Sequence, residues 1–182
     1  MTPTSISTDV FFSEMPSPVG RLTLTWQREG LSGVLFDNHG DADAAGAPRG
    51  SWIRDDRRLA AARGQLEEYF AGARAAFDLP LVMRGTPFQE RVWRALCGIP
   101  FGATATYGEI AAAVGRPGAS RAVGGANHRN PIAIVVPCHR VIGADGSLTG
   151  YGGGESRKRR LLDLERRFRD AARAPLSRIA AG

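Results

Sequence analysis

The chain has 182 residues and a formal net charge of +6, with 24 lysine and arginine residues against 18 acidic ones and a pI near 10.3. Apolar residues make up 43% of the chain, which excludes wholesale disorder, and no apolar run approaches the ~20 residues of a membrane span. Two cysteines and three histidines without CxxC spacing argue against a zinc site and a disulfide framework. The basic balance favours a polyanionic partner, although the arginine bias of a GC-rich genome would produce the same charge.

The N-terminal residues carry no secretory signal, because no basic segment followed by an apolar one opens the chain. We therefore expect a cytoplasmic protein, in the bacterial cytosol or nucleoid, with free thiols. Residues 1–12 are interpreted as a loosely ordered leader. Alternating apolar and polar residues predict a strand over 17–27, and a second strand over 31–36 follows a turn at Glu29 and Gly30, which together predict a hairpin.

A loop, a helix and an extended segment complete the first half. Residues 37–50 are rich in Gly, Asp and Ala and predict a surface loop, in which His39 is expected to be a solvated side chain. Apolar residues at helical spacing predict a helix over 59–70, which Gly72 ends. Residues 77–83 predict another strand or an extended crossing. None of these segments carries obvious chemistry.

The second half opens with strong helix start signals. Thr86 is predicted to cap a helix, Pro87 suits its first position, and Gln89 completes a capping box. Cys97, near the end of this helix, is interpreted as a buried structural thiol. Residues 106–109 form a second capping box and predict another short helix.

Two short helices joined by a turn form a helix-turn-helix signature. The helix that starts at residue 107 ends near Gly115, and Ser120 is predicted to cap a third helix that runs to about His128. Many helical hairpins of this kind never touch DNA. Small residues in the third helix would let it lie close to a broad surface, and Arg121 stands in its first turn, where a helix N-terminus favours phosphate.

A short apolar run leads directly to a cysteine. Residues 132–136 are mostly β-branched and predict a strand buried on both faces, which Pro137 ends. Cys138, His139 and Arg140 follow, a combination that suits a reactive thiolate. The alternative is that Cys138 packs as a small hydrophobe and that His139, as its neighbour on a strand, points away from the sulfur.

Glycine-rich turns and a last helix complete the chain. Tyr151 leads into residues 152–154, three glycines whose bare backbone could closely approach a flat ligand. The helix that follows contains Lys158, the only lysine of the chain, and Glu165. Two interpretations of Glu165 stay open: a boundary residue with a solvated carboxylate, or a carboxylate that pairs with a histidine.

Five segments, in this order and spacing, resemble one known family. They are TYGEIA from Thr106, SRAVGGA from Ser120, NP from Asn130, PCHRV from Pro137 and YGGG from Tyr151. The set closely resembles the O6-alkylguanine-DNA alkyltransferases, also called methylated-DNA–protein-cysteine methyltransferases. The resemblance is dense in the second half, whereas the first half matches only in layout.

The resemblance implies an α/β (α+β) fold in two parts. Residues 1–85 would form a small ribonuclease-H-like ββαβ domain with a flexible leader. Residues 86–170 would form a mostly helical catalytic and DNA-binding domain with a winged-helix-like helix-turn-helix, and residues 171–182 would be a C-terminal tail.

The resemblance also implies catalytic roles. Cys138 matches the family's nucleophile, His139 and Glu165 match the pair that activates it, and Asn130 matches the hinge asparagine. Tyr107 matches the tyrosine that donates a hydrogen bond to the base. The activated thiolate would take the alkyl group from O6 of a flipped-out guanine in one irreversible displacement, so that each chain acts once.

Further positions match residues that contact the substrate and the DNA. The expected substrate-binding residues are Tyr151, Gly152 and Val141. The expected DNA-binding residues are Tyr107, Arg121, Ala122, Gly125 and Ala126. Arg121 would enter the base stack in place of the extruded nucleotide. Ala133 stands where some relatives have proline in the pocket wall, which bears on the range of substrates.

The resemblance therefore implies a monomer that repairs double-stranded DNA containing alkylated guanine, with O4-alkylthymine as a second candidate substrate and without metal, cofactor or membrane. Two alternatives remain at this stage. The chain could be a non-catalytic helix-turn-helix protein that binds alkylated DNA, with Cys138 structural. It could also be a cysteine hydrolase that uses Cys138 and His139 with turnover.

Overall fold

The computed structural model describes residues 9–28, 30–37 and 49–173. The predicted turn residue Glu29, most of the predicted loop with His39, and the greater part of the tail lie outside these residues. Within them, the fold is mixed α+β, as predicted, with a sheet in the N-terminal half and helices in the C-terminal half. No helix in the described ranges is both long enough and apolar enough to cross a membrane.

A four-stranded sheet forms the N-terminal half. Its strands are β1 (Phe11–Met15), β2 (Leu22–Gln27), β3 (Gly30–Phe36) and β4 (Ile53–Arg54), in the order β3-β2-β1-β4. The predicted hairpin is β2 and β3, which are antiparallel, as are β1 and β2, whereas β4 pairs with β1 in parallel.

Strand β1 corrects the predicted leader, which extended to residue 12. Its five residues are too few for a clear alternation in the sequence, and they become a strand because β2 offers them an edge, with Phe11 opposite Trp26 and Met15 opposite Leu22. The predicted start of the next strand at residue 17 was also wrong. Gly20 donates a backbone hydrogen bond to Ser17 over 3.1 Å in a turn there.

One helix belongs to the N-terminal half and adds to its apolar core. Helix α1 (Ala60–Phe70) agrees with the prediction and ends before Gly72, whose φ of 76° suits glycine. Its buried face carries Ala62, Leu66 and Tyr69. Residues 77–83 form the extended crossing that was one of two predicted alternatives, held to β3 by hydrogen bonds on both sides of Leu31.

Four helices form most of the C-terminal half. They are α2 (Pro87–Leu96), α3 (Tyr107–Ala113), α4 (Ser120–His128) and α5 (Glu155–Arg173). Both predicted capping boxes are confirmed, at Thr86 with Gln89 and at Thr106 with Glu109. Ser120 is not a cap, because α4 begins one residue earlier than predicted and Ala119 takes the cap position. Helices α3 and α4 form the predicted helix-turn-helix.

The predicted strand over residues 132–136 is instead a buried, folded-back loop. Ile132 bridges Val34 of β3, Ala133 bridges Val136 within the loop itself, and Ile134 between them has a φ of 73°. Every residue of the run is buried, which explains its apolar sequence. Asn130, rather than a neighbouring strand, satisfies part of its backbone, since its side chain bonds to the N–H of Ile132 and the carbonyl of Val136.

Two short parallel strands connect this loop to the helix-turn-helix. They are β5 (Ala105–Thr106) and β6 (Val141–Ile142). Between the loop and β6, Cys138–Arg140 make a single 3-10 turn. The loop, this turn and the start of α3 are therefore held side by side, and the predicted nucleophile lies among them.

Candidate active site

Cys138 is the first residue of the 3-10 turn, and two asparagine side chains hold it in place. Its side chain is buried, and Nδ2 of Asn130 donates to Sγ over 2.9 Å while also donating to the carbonyl of Val136 over 2.8 Å. Nδ2 of Asn127 donates to the carbonyl oxygen of Cys138 over 3.1 Å. Asn130 was expected as a hinge, whereas Asn127 carried no signal in the sequence. The two amides fix both the sulfur and the backbone of Cys138.

His139 and Glu165 form a fully buried pair. Nε2 of His139 lies 2.7 Å from Oε1 of Glu165, which places the proton on Nε2 because a carboxylate can only accept. Nδ1 of His139 then has a free lone pair, and it is buried without a hydrogen-bond partner among the described residues. Burial lowers the pKa of His139, so the imidazole is neutral near pH 7. It can therefore accept a proton at Nδ1.

Glu165 is the centre of a larger network than the histidine pair. Its carboxylate also accepts from the hydroxyl of Tyr69 over 2.7 Å, from the backbone N–H of Gly102 over 2.9 Å, and from Arg140 over 3.0 Å. Burial opposes its ionisation, yet the hydrogen bonds from His139 and Arg140 outweigh burial and hold the pKa of Glu165 at about 2. The interpretation of Glu165 as a solvated boundary residue was wrong.

Tyr69 and Arg140 belong to this network, although the sequence placed neither beside Glu165 and singled out Arg140 only as a cation near Cys138. Tyr69 occupies the buried face of α1 at a position that helical periodicity assigns to the core. Arg140 reaches across to the carbonyl of Ile99 over 2.6 Å as well as to Glu165. Tyr69 comes from α1 and Arg140 from the 3-10 turn, so only the tertiary arrangement around α5 brings both to one carboxylate.

Burial keeps the sulfur of Cys138 protonated in this closed arrangement. Desolvation raises the pKa of the Cys138 thiol to about 11, against the lowering influence of the Asn130 hydrogen bond and of the Lys158 charge. At this pKa the thiol is protonated near pH 7 in the structure, and its activation by His139 and Glu165 stays a prediction. Ionisation has to accompany a change that lets solvent or substrate reach the sulfur.

Lys158 is a further group of the site, which the sequence marked only as the single lysine of the chain. Its side chain is fully buried, its Nζ has no hydrogen-bond partner among the described residues, and it lies 5.8 Å from the centroid of the Tyr107 ring. Burial lowers the pKa of Lys158 to about 8, while the charge of Cys138 raises it. An ammonium without a hydrogen-bonded counter-ion here places positive potential near the sulfur.

The cavity beside Cys138 is small, with a volume of about 10 Å³. Predicted residues Asn130, Ala133, Tyr151 and Gly152 line it, together with Phe36 from strand β3. The hydroxyl of Tyr151 is buried and without a hydrogen-bond partner in the described ranges.

Val141 does not share that cavity, although it was expected to bind substrate. Its side chain is fully buried and is absent from the cavity lining. The reason is its place in β6, where it pairs with Ala105 of β5.

The predicted DNA-binding face lies on α3 and α4. An open depression of about 470 Å³ is lined by Tyr107, Arg121 and Gly124, among others. The hydroxyl of Tyr107 donates to the carbonyl of Thr149 over 2.9 Å, which closes one side of the depression. Burial raises the pKa of Tyr107, so the hydroxyl keeps its proton and remains a donor.

The α4 residues that were predicted to contact DNA differ in their solvent exposure. Arg121 and Ala122 are exposed and Gly125 is half-buried, as a DNA-facing helix requires. Ala126 was predicted wrongly, because it is buried and its carbonyl accepts from the indole N–H of Trp93 over 2.9 Å. Ala126 packs α4 on α2 and cannot face DNA.

Cys97 lies apart from this site. It is an exposed thiol at the end of α2, so its interpretation as a buried structural residue was wrong. It borders a separate cavity of about 370 Å³ that also touches Phe101 and Arg140. Among the residues described, no group of three or more His, Cys, Asp or Glu side chains could hold a metal ion.

Two family models match most of the chain. The model described as "6-O-methylguanine DNA methyltransferase, ribonuclease-like domain" matches residues 10–83, and the one described as "6-O-methylguanine DNA methyltransferase, DNA binding domain" matches residues 87–167. The second match contains the cysteine, the histidine and the carboxylate that the structure brings together.

Several relatives and solved structures are similar to this chain over nearly their whole length. A methylated-DNA–protein-cysteine methyltransferase of Mycolicibacterium paratuberculosis is 52% identical over 162 residues, which cover 88% of this chain and 95% of the relative. One of Methanosarcina acetivorans is 49% identical, covering 86% and 98%. The structure of Mycobacterium tuberculosis OGT in complex with DNA aligns with a TM-score of 0.79 at 49% identity, covering 91% and 96%. By its sequence, its fold and the place of its buried cysteine, the chain belongs to the 6-O-methylguanine DNA methyltransferase family.

Proposed function

We propose that this protein repairs DNA by transferring an alkyl group from O6 of guanine to its own Cys138, once per chain. The observation that carries the proposal is the set of contacts around one sulfur. Asn130 donates to Sγ, the His139–Glu165 pair follows in the chain with a free ring nitrogen, and the helix-turn-helix lies next to it. No other described cysteine has such surroundings, since Cys97 is exposed at a helix end.

The transfer is a single displacement at the alkyl carbon. The thiol proton passes to Nδ1 of His139, directly or through a water, and the resulting thiolate attacks. The S–C bond forms as the C–O6 bond breaks, and the electron pair of that bond stays with guanine, which then takes up a proton. Glu165 stabilises the imidazolium that forms, in the way that a buried carboxylate supports a histidine base.

Hydrogen-bond donors near the cavity would neutralise the departing guanine. Tyr107 keeps its proton, and its hydroxyl can exchange the carbonyl of Thr149 for the base. The buried hydroxyl of Tyr151 and the backbone of Gly152 border the same cavity. Donors aimed at developing charge in a dry site contribute more than they would in water.

The base has to leave the helix to reach the sulfur, because a reacting base inside a duplex is inaccessible. Arg121 is exposed in the first turn of α4, beside the depression that leads to Tyr107. We expect it to fill the space that the extruded nucleotide leaves. The cavity of about 10 Å³ then has to open, and this opening would also remove the burial that keeps Cys138 protonated.

Whole-protein mass spectrometry tests the proposal. After incubation with an oligonucleotide containing O6-methylguanine, one methyl group should be added per chain and should map to Cys138. The Cys138→Ser variant should take up none, and the matched variant Cys97→Ser should behave as wild type. Turnover beyond one equivalent would indicate a hydrolase, and tight binding without transfer would indicate a non-catalytic DNA-binding protein.

We also propose that the protein acts as a monomer in the cytoplasm, without a metal. The transfer itself supports a monomer without a metal, because it needs one sulfur and no Lewis acid. We propose a division at residues 1–85 and 86–170, with a tail over 171–182. Sedimentation of the free protein, transfer in the presence of a chelator, and the sites of limited proteolysis check these points in turn.

A further inference from the structure

Phe36 brings the N-terminal sheet into the cavity beside the nucleophile. It is the last residue of β3 and is 1% exposed. Two residues earlier, Val34 binds the active-site loop on both sides, donating to the carbonyl of Pro131 over 2.9 Å and accepting from the N–H of Ala133 over 3.3 Å. This attachment holds the end of β3 against the active-site loop, and Phe36 lines the cavity beside Cys138.

Any group bound to the sulfur must occupy space that the resting cavity lacks. The cavity measures about 10 Å³, close to the least that one water molecule needs. Even a methyl group on Sγ of Cys138 therefore requires a wall to move, and a larger alkyl group requires a larger movement.

The walls differ in how firmly they are held. The active-site loop is tied to β3 and closed on itself by a hydrogen bond from Val136 to Ile132 over 2.9 Å. Another wall is the glycine-rich turn after Tyr151. We expect this turn to yield, because glycine backbone adopts the widest range of conformations.

Phe36 presses directly on that turn. A Cβ added at Gly153 would lie 2.6 Å from Cε2 of Phe36, so the ring touches the bare backbone. The Phe36 and Tyr151 rings meet edge to face with centroids 6.2 Å apart. Arg157 covers the other side, 5.0 Å from the Phe36 centroid, and joins the carbonyls of Val19 and Gly153 at 2.8 and 3.1 Å.

We propose that Phe36 determines the size of the alkyl group that Cys138 accepts. The ring limits how far the turn carrying Gly153 can withdraw, so its volume sets the space behind the sulfur. This inference rests on the proposed alkyl transfer and adds a specificity residue from the N-terminal sheet. A smaller side chain at position 36 should favour bulky alkyl groups, and a larger one should disfavour them.

The test compares two oligonucleotides of one sequence, one with O6-methylguanine and one with O6-benzylguanine. The ratio of the benzyl to the methyl transfer rate is measured within one protein preparation, so that a loss of active protein cancels. In Phe36→Leu the ratio should rise about tenfold, the lower end of the effect that even a single methylene has in a hydrophobic pocket. In Phe36→Trp it should fall by a similar factor.

Phe12→Leu is the matched control, because Phe12 lies in the same sheet but packs on Trp52 at 6.2 Å, away from the cavity. Its ratio should equal that of wild type. Phe36→Met replaces the leucine variant where that variant does not fold. A ratio within twofold of wild type in the smaller and the larger variant alike overturns the role of Phe36. If wild type takes up neither group, it is the proposed function that fails.

Discussion

Nε2 of His139 lies 2.7 Å from Oε1 of Glu165, and neither side chain has any solvent exposure. Glu165→Gln keeps the shape of this pair but removes the charge that would stabilise the imidazolium. We expect alkyl transfer near pH 7 to fall roughly 100-fold, the usual contribution of a positioned base. Loss of the counter-ion of Arg140 should also destabilise the fold by about 3 kcal/mol. Single-turnover rates and urea unfolding measure the two effects.

The pH dependence of the free energy of unfolding reports what Glu165 contributes to stability, separately from its effect on the transfer rate. The folded-state pKa of Glu165, about 2, lies below its ordinary value of 4.5, so the stability it contributes is present above pH 4.5 and is lost as the pH falls toward 2. This acid-dependent loss should be smaller in Glu165→Gln. Asp163→Asn, an exposed change on the same helix, should leave both the rate and this dependence as in wild type. If Glu165→Gln lost as much stability at low pH as wild type does, the acid-dependent loss could not be attributed to Glu165.

Asn130 donates to both Sγ of Cys138 and the carbonyl of Val136, so its loss should affect the sulfur and the loop together. In Asn130→Ala the pKa of the Cys138 thiol should rise further, and the rate should fall about tenfold for each pKa unit. Asn130→Asp places a negative charge beside the developing thiolate and should lower the rate more. Rate–pH profiles with free O6-benzylguanine, in a Cys97→Ser background, test this order. A faster Asp variant would refute it.

We expect the charge of Lys158 to lower the stability of the folded protein and to raise the rate of alkyl transfer. Its pKa of about 8 lies below the ordinary 10.5, so the folded protein carries a penalty for its charge below pH 8 that disappears toward pH 10.5. Lys158→Met should therefore stabilise the protein at pH 7 by about 1–3 kcal/mol, while transfer slows because the thiolate loses a nearby cation.

The Lys158 effect on rate should itself depend on pH. The transfer rates of wild type and Lys158→Met should converge above about pH 9. At that pH the Lys158 amine of wild type is largely uncharged and no longer stabilises the thiolate. Lys158→Arg, which keeps a cation, should stay nearer to wild type below pH 8. If the ratio of the two transfer rates stayed constant from about pH 6 to about pH 10, the charge of Lys158 would have no part in the mechanism.

Arg121 should matter only when a base has to leave a duplex. In Arg121→Ala, transfer from duplex DNA should slow by roughly 100-fold, which corresponds to the few kcal/mol that flipping requires. Transfer from free O6-benzylguanine should change little. Arg116→Ala, an exposed arginine in the turn before α4, is the matched control. Equal losses on duplex and free base would remove Arg121 from the flipping step.

The elements that sequence reasoning predicted well are those set by neighbours in the chain. The capping boxes at Thr86 and Thr106 depend on a residue three positions later, and both formed as predicted. Helix α1 followed from apolar spacing, and the nucleophile followed from the PCHRV motif and its resemblance to one family. The loop at 132–136 was mistaken for a strand because burial on all sides makes an apolar run in either case.

The sequence by itself determined the family, the helix-turn-helix and the identity of Cys138, because local patterns and motifs carry that information. Only the tertiary structure decided which groups surround the sulfur. The hydroxyl of Tyr69 on α1 reaches Glu165 across 96 positions of the chain. Phe36 reaches the cavity from the end of strand β3. Such contacts arise from how helices and strands pack, and a periodic pattern reports only that a residue is buried, not which partner it meets.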